Sequence, residues 1–276
     1  MTFDGKTEVY GVIGYPVKHS LSPVFQNRAL KHFSINAVYV PFEVKPEDLE
    51  KAFEGLKALG VRGVNVTLPH KERALTLADI PDAHAKTIGS ANTLKFTPEG
   101  VYAYNTDWIG FLKALKKFLQ ELRKVKVLLL GAGGSSRAVL YALKSEGAEV
   151  YLWNRTEEKA VKLCEEFGCT AVRKPEDVID VVEFVVNTTS AGLKEEDPPL
   201  FDYNLLKPEQ KVMDIIYKET ELLKFAKKKG CLFQDGLDML LYQGMESFRL
   251  WTGLEVPYEV VKGAVLEYKK EKLYAG

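Results

Sequence analysis

The amino-terminal third of the chain carries short polar clusters whose side chains suit chemistry on a small, hydroxylated acid. Ser20 and Ser22 stand two apart in Gly14-Tyr-Pro-Val-Lys-His-Ser20-Leu-Ser22-Pro. Two hydroxyls at that spacing fit a carboxylate or a molecule with several hydroxyls. Ser22, directly before Pro23, also fits the plainer role of helix N-cap. In Asn65-Val-Thr67-Leu-Pro-His-Lys71, strand alternation puts Asn65 and Thr67 on one face. Lys71 falls in the first turn of the helix that Pro69 opens. The positive end of the helix dipole disfavours an ammonium there, which makes Lys71 an acid/base candidate; a solvated surface lysine is the alternative. Ser90-Ala-Asn92-Thr93 and Asn105-Thr106-Asp107 flank a hairpin pattern. Taken alone, Asn92 fits a turn residue and Asp107 an ordinary N-cap.

A second constellation runs from Val125 to Thr156. A strand pattern, Val125-Lys-Val-Leu-Leu-Leu130, leads into Gly131-Ala132-Gly133-Gly134-Ser135-Ser136, then a helical run to Gly147 and a second apolar strand ending in Trp153. Glycines at 131 and 133 permit a tight turn and close approach of the backbone to a pyrophosphate, and the helix that follows aims free N–H groups at it. Ser136 takes the third glycine position and is still small. About 20 residues after such a loop, an NAD site places an acid on the ribose 2′-hydroxyl. Here Asn154 stands in that place, followed by Arg155 and Thr156. An arginine favours a 2′-phosphate, so the expected cofactor is NADP(H).

These clusters need strands and helices to position them. The pattern predicts strands at Val9–Gly14, Ala37–Val44 and Val61–Thr67, helices at Pro23–Phe33, Pro46–Leu59 and Pro69–Ala78, and a hairpin from Asn92–Phe96 and Val101–Tyr104. Mostly βαβ order with one antiparallel piece implies an α/β sheet. A long helix, Trp108–Leu122, capped by Thr106 or Asp107, leads into the dinucleotide unit, which continues through Glu157–Phe167, Val185–Asn187, Lys211–Ile215, Glu219–Lys229 and Cys231–Gln234. Two final helices, Gly236–Trp251 and Pro257–Lys272, have no strand between them and cannot extend that sheet. They are expected to return to the first domain. The expected organisation is a discontinuous domain, 1–106 plus 237–276, with a dinucleotide domain, 107–236, inserted in it.

Bulk properties narrow the class. A chain of 276 residues, 46% hydrophobic, can build two ordinary cores. Lys plus Arg equals Asp plus Glu at 38 each, so there is no global field toward nucleic acid or an anionic membrane. Cys164, Cys169 and Cys231 show no metal-binding spacing; three reduced thiols and no metal are expected. The amino-terminal residues Met1 to Glu8 are polar, and no apolar run approaches the ~18 residues needed to span a bilayer. A soluble cytoplasmic protein is expected.

The motifs, in order, resemble the shikimate dehydrogenase family: Gly-Tyr-Pro-Val-x-His-Ser-Leu-Ser-Pro, Asn-Val-Thr-x-Pro-x-Lys, Ala-Asn-Thr, Asn-Thr-Asp-x-x-Gly, Gly-Ala-Gly-Gly-x-x-Arg-Ala, Asn-Arg-Thr and Gly-Leu-Asp-Met-Leu-x-x-Gln-Gly. The resemblance spans about Tyr10 to Gly253. It implies a discontinuous substrate domain with an inserted Rossmann NADP-binding domain. It also implies NADPH-dependent reduction of 3-dehydroshikimate to shikimate in aromatic amino acid biosynthesis. By position, it implies that Ser20 and Ser22 hold the substrate carboxylate, with Tyr217 near it. Asn65, Thr67, Asn92 and Gln243 would bond the substrate, and Lys71 and Asp107 would be the catalytic pair. Gly131, Ala132, Gly133, Gly134 and Ser135 would hold the pyrophosphate, and Asn154, Arg155, Thr156 and Lys159 the 2′-phosphate. Thr188 and Ser190 would lie along the cofactor, with Met239 near the nicotinamide and Gly236 among the cofactor contacts. Lys218 departs from the family's usual proline in that loop, and Ser135-Ser136 from its usual alanines. Two other readings stay open. One is a quinate/shikimate dehydrogenase using NAD, against which Arg155 argues. The other is a non-catalytic substrate-sensing module, against which Lys71 and Asp107 argue.

Overall fold

The computed structural model describes residues 3–119, 121–194 and 196–274. The chain divides into two compact units, Met1–Thr106 with Leu241–Gly276, and Asp107–Leu240.

In the first unit, β1 (Glu8–Gly14), β2 (Ala37–Glu43) and β3 (Gly63–Val66) run parallel. β5 (Thr93–Thr97) is antiparallel to β3 and to β6 (Gly100–Tyr104), and a two-residue strand, β4 (Ile80–Pro81), pairs parallel with β6. The sheet order is β2-β1-β3-β5-β6-β4. β1 is central and buried from Tyr10 onward, so its residues are apolar almost without interruption. β2 is an edge strand, which tolerates Pro41 in its middle. Helices α1 (Ser22–His32), α2 (Leu49–Ala58), α3 (Lys71–Leu77) and α4 (Ala83–Ile88) follow the strands. Ile13, Leu49, Phe53, Val64 and Leu94 share one core. Helix α9 (Leu237–Thr252) and helix α10 (Tyr258–Tyr274) close the chain. Within this unit Gln26 Nε2 donates to the Gly244 carbonyl at 2.9 Å, and Trp251 Nε1 donates to the Leu94 carbonyl at 2.9 Å. The terminal helices therefore complete the first sheet and do not extend the second.

The second unit is one parallel sheet: β7 (Lys126–Leu130), β8 (Glu149–Trp153), β9 (Thr170–Ala171), β10 (Phe184–Asn187), β11 (Lys211–Asp214) and β12 (Leu232–Gln234), in the order β12-β11-β10-β7-β8-β9. This is the Rossmann order. The order in which strands are added reverses between β7 and β10, which opens a crevice at their carboxyl ends. Its helices are α5 (Asp107–Leu115), α6 (Gly134–Ser145), α7 (Glu157–Phe167) and α8 (Glu221–Lys229). Leu128, Leu130, Val185, Val212, Leu222 and Leu223 are core residues here.

Some local expectations are corrected. Ser22 is not an N-cap: it is the first residue of α1, Leu21 caps, and Ser20 Oγ accepts the Ser22 N–H at 3.2 Å. Asp107 likewise lies inside α5, which ends at Leu115 and not at Leu122. Phe118 N–H turns back to the Leu115 carbonyl at 2.8 Å, and the half-buried Phe118 ring packs 5.9 Å from Phe184. Gln120, inside the expected helix, lies outside the described residues, as do Met1 and Thr2. The Pro46 segment opens as a 3-10 turn, and β4, α4 and β9 are too short to show as periodic runs. Cys164 and Cys169 are not free thiols: they form a disulfide with Cα atoms 4.5 Å apart. Gly168, left-handed at φ 66°, turns the chain back at the end of α7 and brings the two together. Cys231 is a buried free thiol.

Gly63 shows how tightly α9 seats on the sheet. A Cβ there would lie 2.3 Å from Trp251 Nε1 and 2.6 Å from its Cδ1, against a rigid ring anchored by its own hydrogen bond. Gly63→Ala should therefore destabilise the protein by roughly 1–3 kcal/mol, as overpacked cores do. Chemical denaturation checks this, and an unchanged midpoint would contradict it.

Candidate active site

In the first unit, three of the residues expected to contact substrate, Asn65, Asn92 and Gln243, lie in one buried polar network. Asn65, at the carboxyl end of β3, is 5% exposed. Its Nδ2 donates to the Asn92 carbonyl at 3.2 Å, Thr93 Oγ1 at 3.3 Å and Ser247 Oγ at 2.9 Å, and its Oδ1 accepts from the Tyr39 hydroxyl at 2.8 Å. Burial holds the Tyr39 phenol well above its usual range, so Tyr39 acts as a neutral donor to Asn65. Asn92 Nδ2 donates to Thr106 Oγ1 at 2.9 Å and Gln243 Oε1 at 3.1 Å, while its Oδ1 accepts the Thr106 N–H at 2.7 Å. Asn92 is thus more than a turn residue: it ties β5, the Thr106 turn and α9 together. Ser22 is buried, and Ser20 and Thr67 are half-buried.

Lys71 is the first residue of α3 and is 9% exposed, which sets aside the solvated-surface reading. Its carbonyl accepts the Ala91 N–H at 2.9 Å, placing it next to the Asn92 turn. The turn before it is held at both ends. Thr67 N–H donates to the Ile13 carbonyl at 2.9 Å, and buried His70 donates Nε2–H to the Val44 carbonyl at 2.7 Å. A buried lysine at a helix start, its backbone bonded to the turn that carries Asn92, is a candidate acid/base group.

In the second unit, Gly131 adopts φ +112° at the end of β7. A Cβ there would crowd Thr188 Oγ1 at 2.9 Å. At Gly133, the residue before α6, a Cβ would meet nothing within 4 Å. That open space in front of a helix amino terminus is where a pyrophosphate approaches backbone N–H groups. The loop is braced by a chain of bonds: Gly133 N–H to Ser136 Oγ at 3.1 Å, Ser136 Oγ to Thr188 Oγ1 at 2.7 Å, and Thr188 Oγ1 to the Leu130 carbonyl at 2.6 Å. Ser136, in the third glycine position, therefore uses its hydroxyl. Asn154 Nδ2 donates to the Thr156 carbonyl at 2.8 Å, and Arg155, Thr156 and Lys159 are exposed around the start of α7. The loop is thus suited to a dinucleotide and the cations to its 2′-phosphate.

Asp214 is the buried hub of the β10 and β11 loop ends. It is fully buried and accepts from Asn187 Nδ2 at 3.0 Å, Thr220 Oγ1 at 2.8 Å and the Ile216 N–H at 3.0 Å. The Gly236 N–H donates to the Ile216 carbonyl at 3.1 Å, and a Cβ on Gly236 would strike the Ile215 oxygen at 1.9 Å. Lys218 straps this turn to the Leu193 carbonyl at 2.6 Å, a contact proline would not make. Tyr217 is half-buried, Met239 buried and Ser190 exposed. Tyr39, Thr93, Ser247, Asn187 and Asp214 were not expected as site supports. Thr93 carried a signal as a member of the Ser90–Thr93 polar cluster, and Ser247 one by standing one helical turn after Gln243.

Two α/β units, one with a Rossmann glycine loop and one with a buried amide–lysine cluster, define a dinucleotide-binding protein of two domains. Family models match three segments: "Shikimate dehydrogenase substrate binding domain" over residues 12–94, "Shikimate / quinate 5-dehydrogenase" over 113–194, and "Shikimate 5'-dehydrogenase C-terminal domain" over 236–266. The chain is 56% identical to the shikimate dehydrogenase (NADP(+)) of Aquifex aeolicus, over 96% of this chain and 99% of that protein. A crystal structure of shikimate dehydrogenase from Aquifex aeolicus superposes with a TM-score of 0.94 at 57% identity, covering 96% of this chain and 99% of that one. The enzyme from Thermus thermophilus, solved in complex with NADP(H) and shikimate, superposes with a TM-score of 0.87 at 37% identity, over 95% and 99%. The chain belongs to the shikimate dehydrogenase family.

Asp214 gives a pH signature. Burial, outweighing its hydrogen bonds and aided by nearby Asp235, pushes its carboxyl up from 3.8 to about 6. The folded state thus holds this proton more tightly than the unfolded chain. The resulting stabilisation is full below pH 3.8 and is lost as pH rises to about 6. Asp214→Asn removes the titration. The stability of wild type relative to this variant should fall with rising pH across that window, by at most about 3 kcal/mol. Melts from pH 4 to 7 test this, and a constant difference would contradict it.

Proposed function

We propose that the chain is an NADP-dependent shikimate dehydrogenase, reversibly reducing 3-dehydroshikimate to shikimate in aromatic amino acid biosynthesis. The observation that carries this reading is the burial of Lys71 at the start of α3, next to the Asn65–Asn92–Gln243 network. Unit Met1–Thr106 with Leu241–Gly276 is assigned to the substrate, and unit Asp107–Leu240 to NADP(H). The bound reduced nicotinamide supplies the hydride. Ser20 and Ser22, with Tyr217, take the substrate carboxylate, while Asn65, Thr67, Asn92 and Gln243 orient its hydroxyls. Lys71 stabilises the developing alkoxide, and Lys71 and Asp107 are the two groups assigned to supply the proton. Gly131, Ala132, Gly133, Gly134 and Ser135 receive the pyrophosphate, with Thr188, Ser190, Gly236 and Met239 lining the rest of the cofactor. Asn154, Arg155, Thr156 and Lys159 form the 2′-phosphate clamp, which favours NADP over NAD and so favours this reading over an NAD-dependent quinate enzyme. The proposal includes a cytoplasmic location and no nucleic-acid partner, in keeping with 38 basic and 38 acidic residues.

Mixing the protein with shikimate and NADP+ should raise absorbance at the reduced-nicotinamide band, and silence there under active-enzyme conditions would refute the reading. Lys71→Ala should lower kcat by about two decades or more, the scale of general acid–base catalysis. The KM for shikimate should change far less, because the carboxylate and hydroxyl contacts remain. Steady-state kinetics beside a thermal melt decide this; a well-folded variant with near-normal kcat would remove Lys71 from the mechanism. Arg155→Ala should weaken NADP+ by about one to two decades, from the loss of roughly 1.5–3 kcal/mol in charge-assisted bonds, and leave NAD+ nearly unchanged. Equal kinetic efficiency of the wild type with both cofactors would contradict the clamp.

A further inference from the structure

Arg173 stands one strand over from the residues assigned to the 2′-phosphate. β8 and β9 are parallel with Leu152 opposite Ala171, and the Val172 N–H continues the ladder to the Leu152 carbonyl at 3.0 Å. Arg173 and Asn154 both lie just past the carboxyl ends of these neighbouring strands, which run about 5 Å apart at ordinary strand spacing. Two contacts hold Arg173 there. The Trp153 indole donates to its carbonyl at 3.2 Å, and its guanidinium Nε lies 3.6 Å from Glu157 Oε1. Glu157 and Glu158 open α7, directly after Thr156. Both acids suit the helix dipole, but they oppose a phosphate dianion at Arg155 and Thr156. The cation facing Glu157 offsets that repulsion.

We propose that Arg173 is a further specificity-determining residue: its guanidinium swings from Glu157 onto the 2′-phosphate of NADP(H), a third cation beside Arg155 and Lys159. This rests on the reading of Asn154, Arg155, Thr156 and Lys159 as the clamp. Three features favour the swing. The Arg173 side chain is 85% exposed, so it moves without leaving a core. A phosphate monoester offers three acceptor oxygens and nearly two charges against the single charge of Glu157. A guanidinium presents a planar fork that matches phosphate geometry. The sequence alone hid the residue, because it lies 18 positions beyond Arg155 and reaches the clamp only through the β8–β9 pairing.

The test is calorimetric binding of NADP+, NAD+ and adenosine 2′,5′-bisphosphate to wild type, Arg173→Ala, Arg173→Glu and Arg155→Ala, at two salt concentrations. Arg173→Ala should raise the Kd for NADP+ and the bisphosphate roughly three- to tenfold, the range of one exposed charge contact. Arg173→Glu should raise it further, the salt dependence of both should become shallower, and NAD+ should change less than twofold. A Kd for NADP+ within twofold of wild type would overturn the proposal, as would equal weakening of NADP+ and NAD+, which would mark a merely structural arginine. Arg155→Ala separates the two readings. If it weakens NADP+ selectively while Arg173→Ala does not, the clamp stands and the Arg173 proposal fails; if neither variant discriminates between the cofactors, both fail.

Discussion

The first unit depends on satisfying polar groups that it buries. Asn65, Asn92, Thr93, Thr106, Gln243 and Ser247 are all withdrawn from water, and each would cost more than a kilocalorie, roughly 1–3 kcal/mol, if left unpaired. They satisfy one another. Asn65 and Asn92 sit at the centre, with amide groups that donate and accept in several directions at once. This network needs α9, which supplies Gln243 and Ser247 from far along the chain. The return of the carboxyl-terminal helices to the first sheet is therefore enforced by polar satisfaction as well as by the seating of Trp251 on Gly63. The same network frames the turn next to Lys71.

The second unit solves a different problem. Its strand ends must leave backbone open to a dinucleotide and yet hold loops still. Gly133 leaves the space, while the hydroxyl chain from Ser136 through Thr188 to Leu130 keeps the loop rigid behind it. Asp214 performs the equivalent service for the β10 and β11 loops, with three donors converging on one buried carboxyl. Rigid supports of this kind place small-molecule contacts without adding contacts of their own. Burial has a cost visible in the raised affinity of Asp214 for its proton.

Much of this was legible in the residues. The glycine pattern at Gly131 and Gly133, the Asn154-Arg155 step in place of an acid, the βαβ order and the strandless tail all mark local chemistry that a short window contains. Helix α7 begins and ends where its pattern predicts, at Glu157 and Phe167. Other features depend on distant partners. Ser22 reads as a cap from its neighbours, but it lies buried inside α1 as its first residue, and Leu21 stands at the N-cap. The helix from Asp107 reads as continuing to Leu122, but it ends at Leu115, and the half-buried Phe118 ring packs against Phe184 from a distant strand. Cys164 and Cys169 carry no redox spacing, and only the left-handed turn at Gly168 brings them together.

By itself, then, the order of residues determined the types and sequence of the elements, the two-part organisation, the cofactor class expected from the glycine loop and Arg155, and the set of polar side chains available for chemistry. These follow from backbone preferences and side-chain periodicity, which act over a few residues. Tertiary structure decided which of those side chains are buried and to what each is bonded: Lys71 withdrawn from solvent, Asn92 a hub and not a turn, Ser136 a brace, Arg173 against Trp153 and Glu157. The physical reason is that burial and strand register are properties of pairings between segments far apart in the chain, and no local window contains both partners.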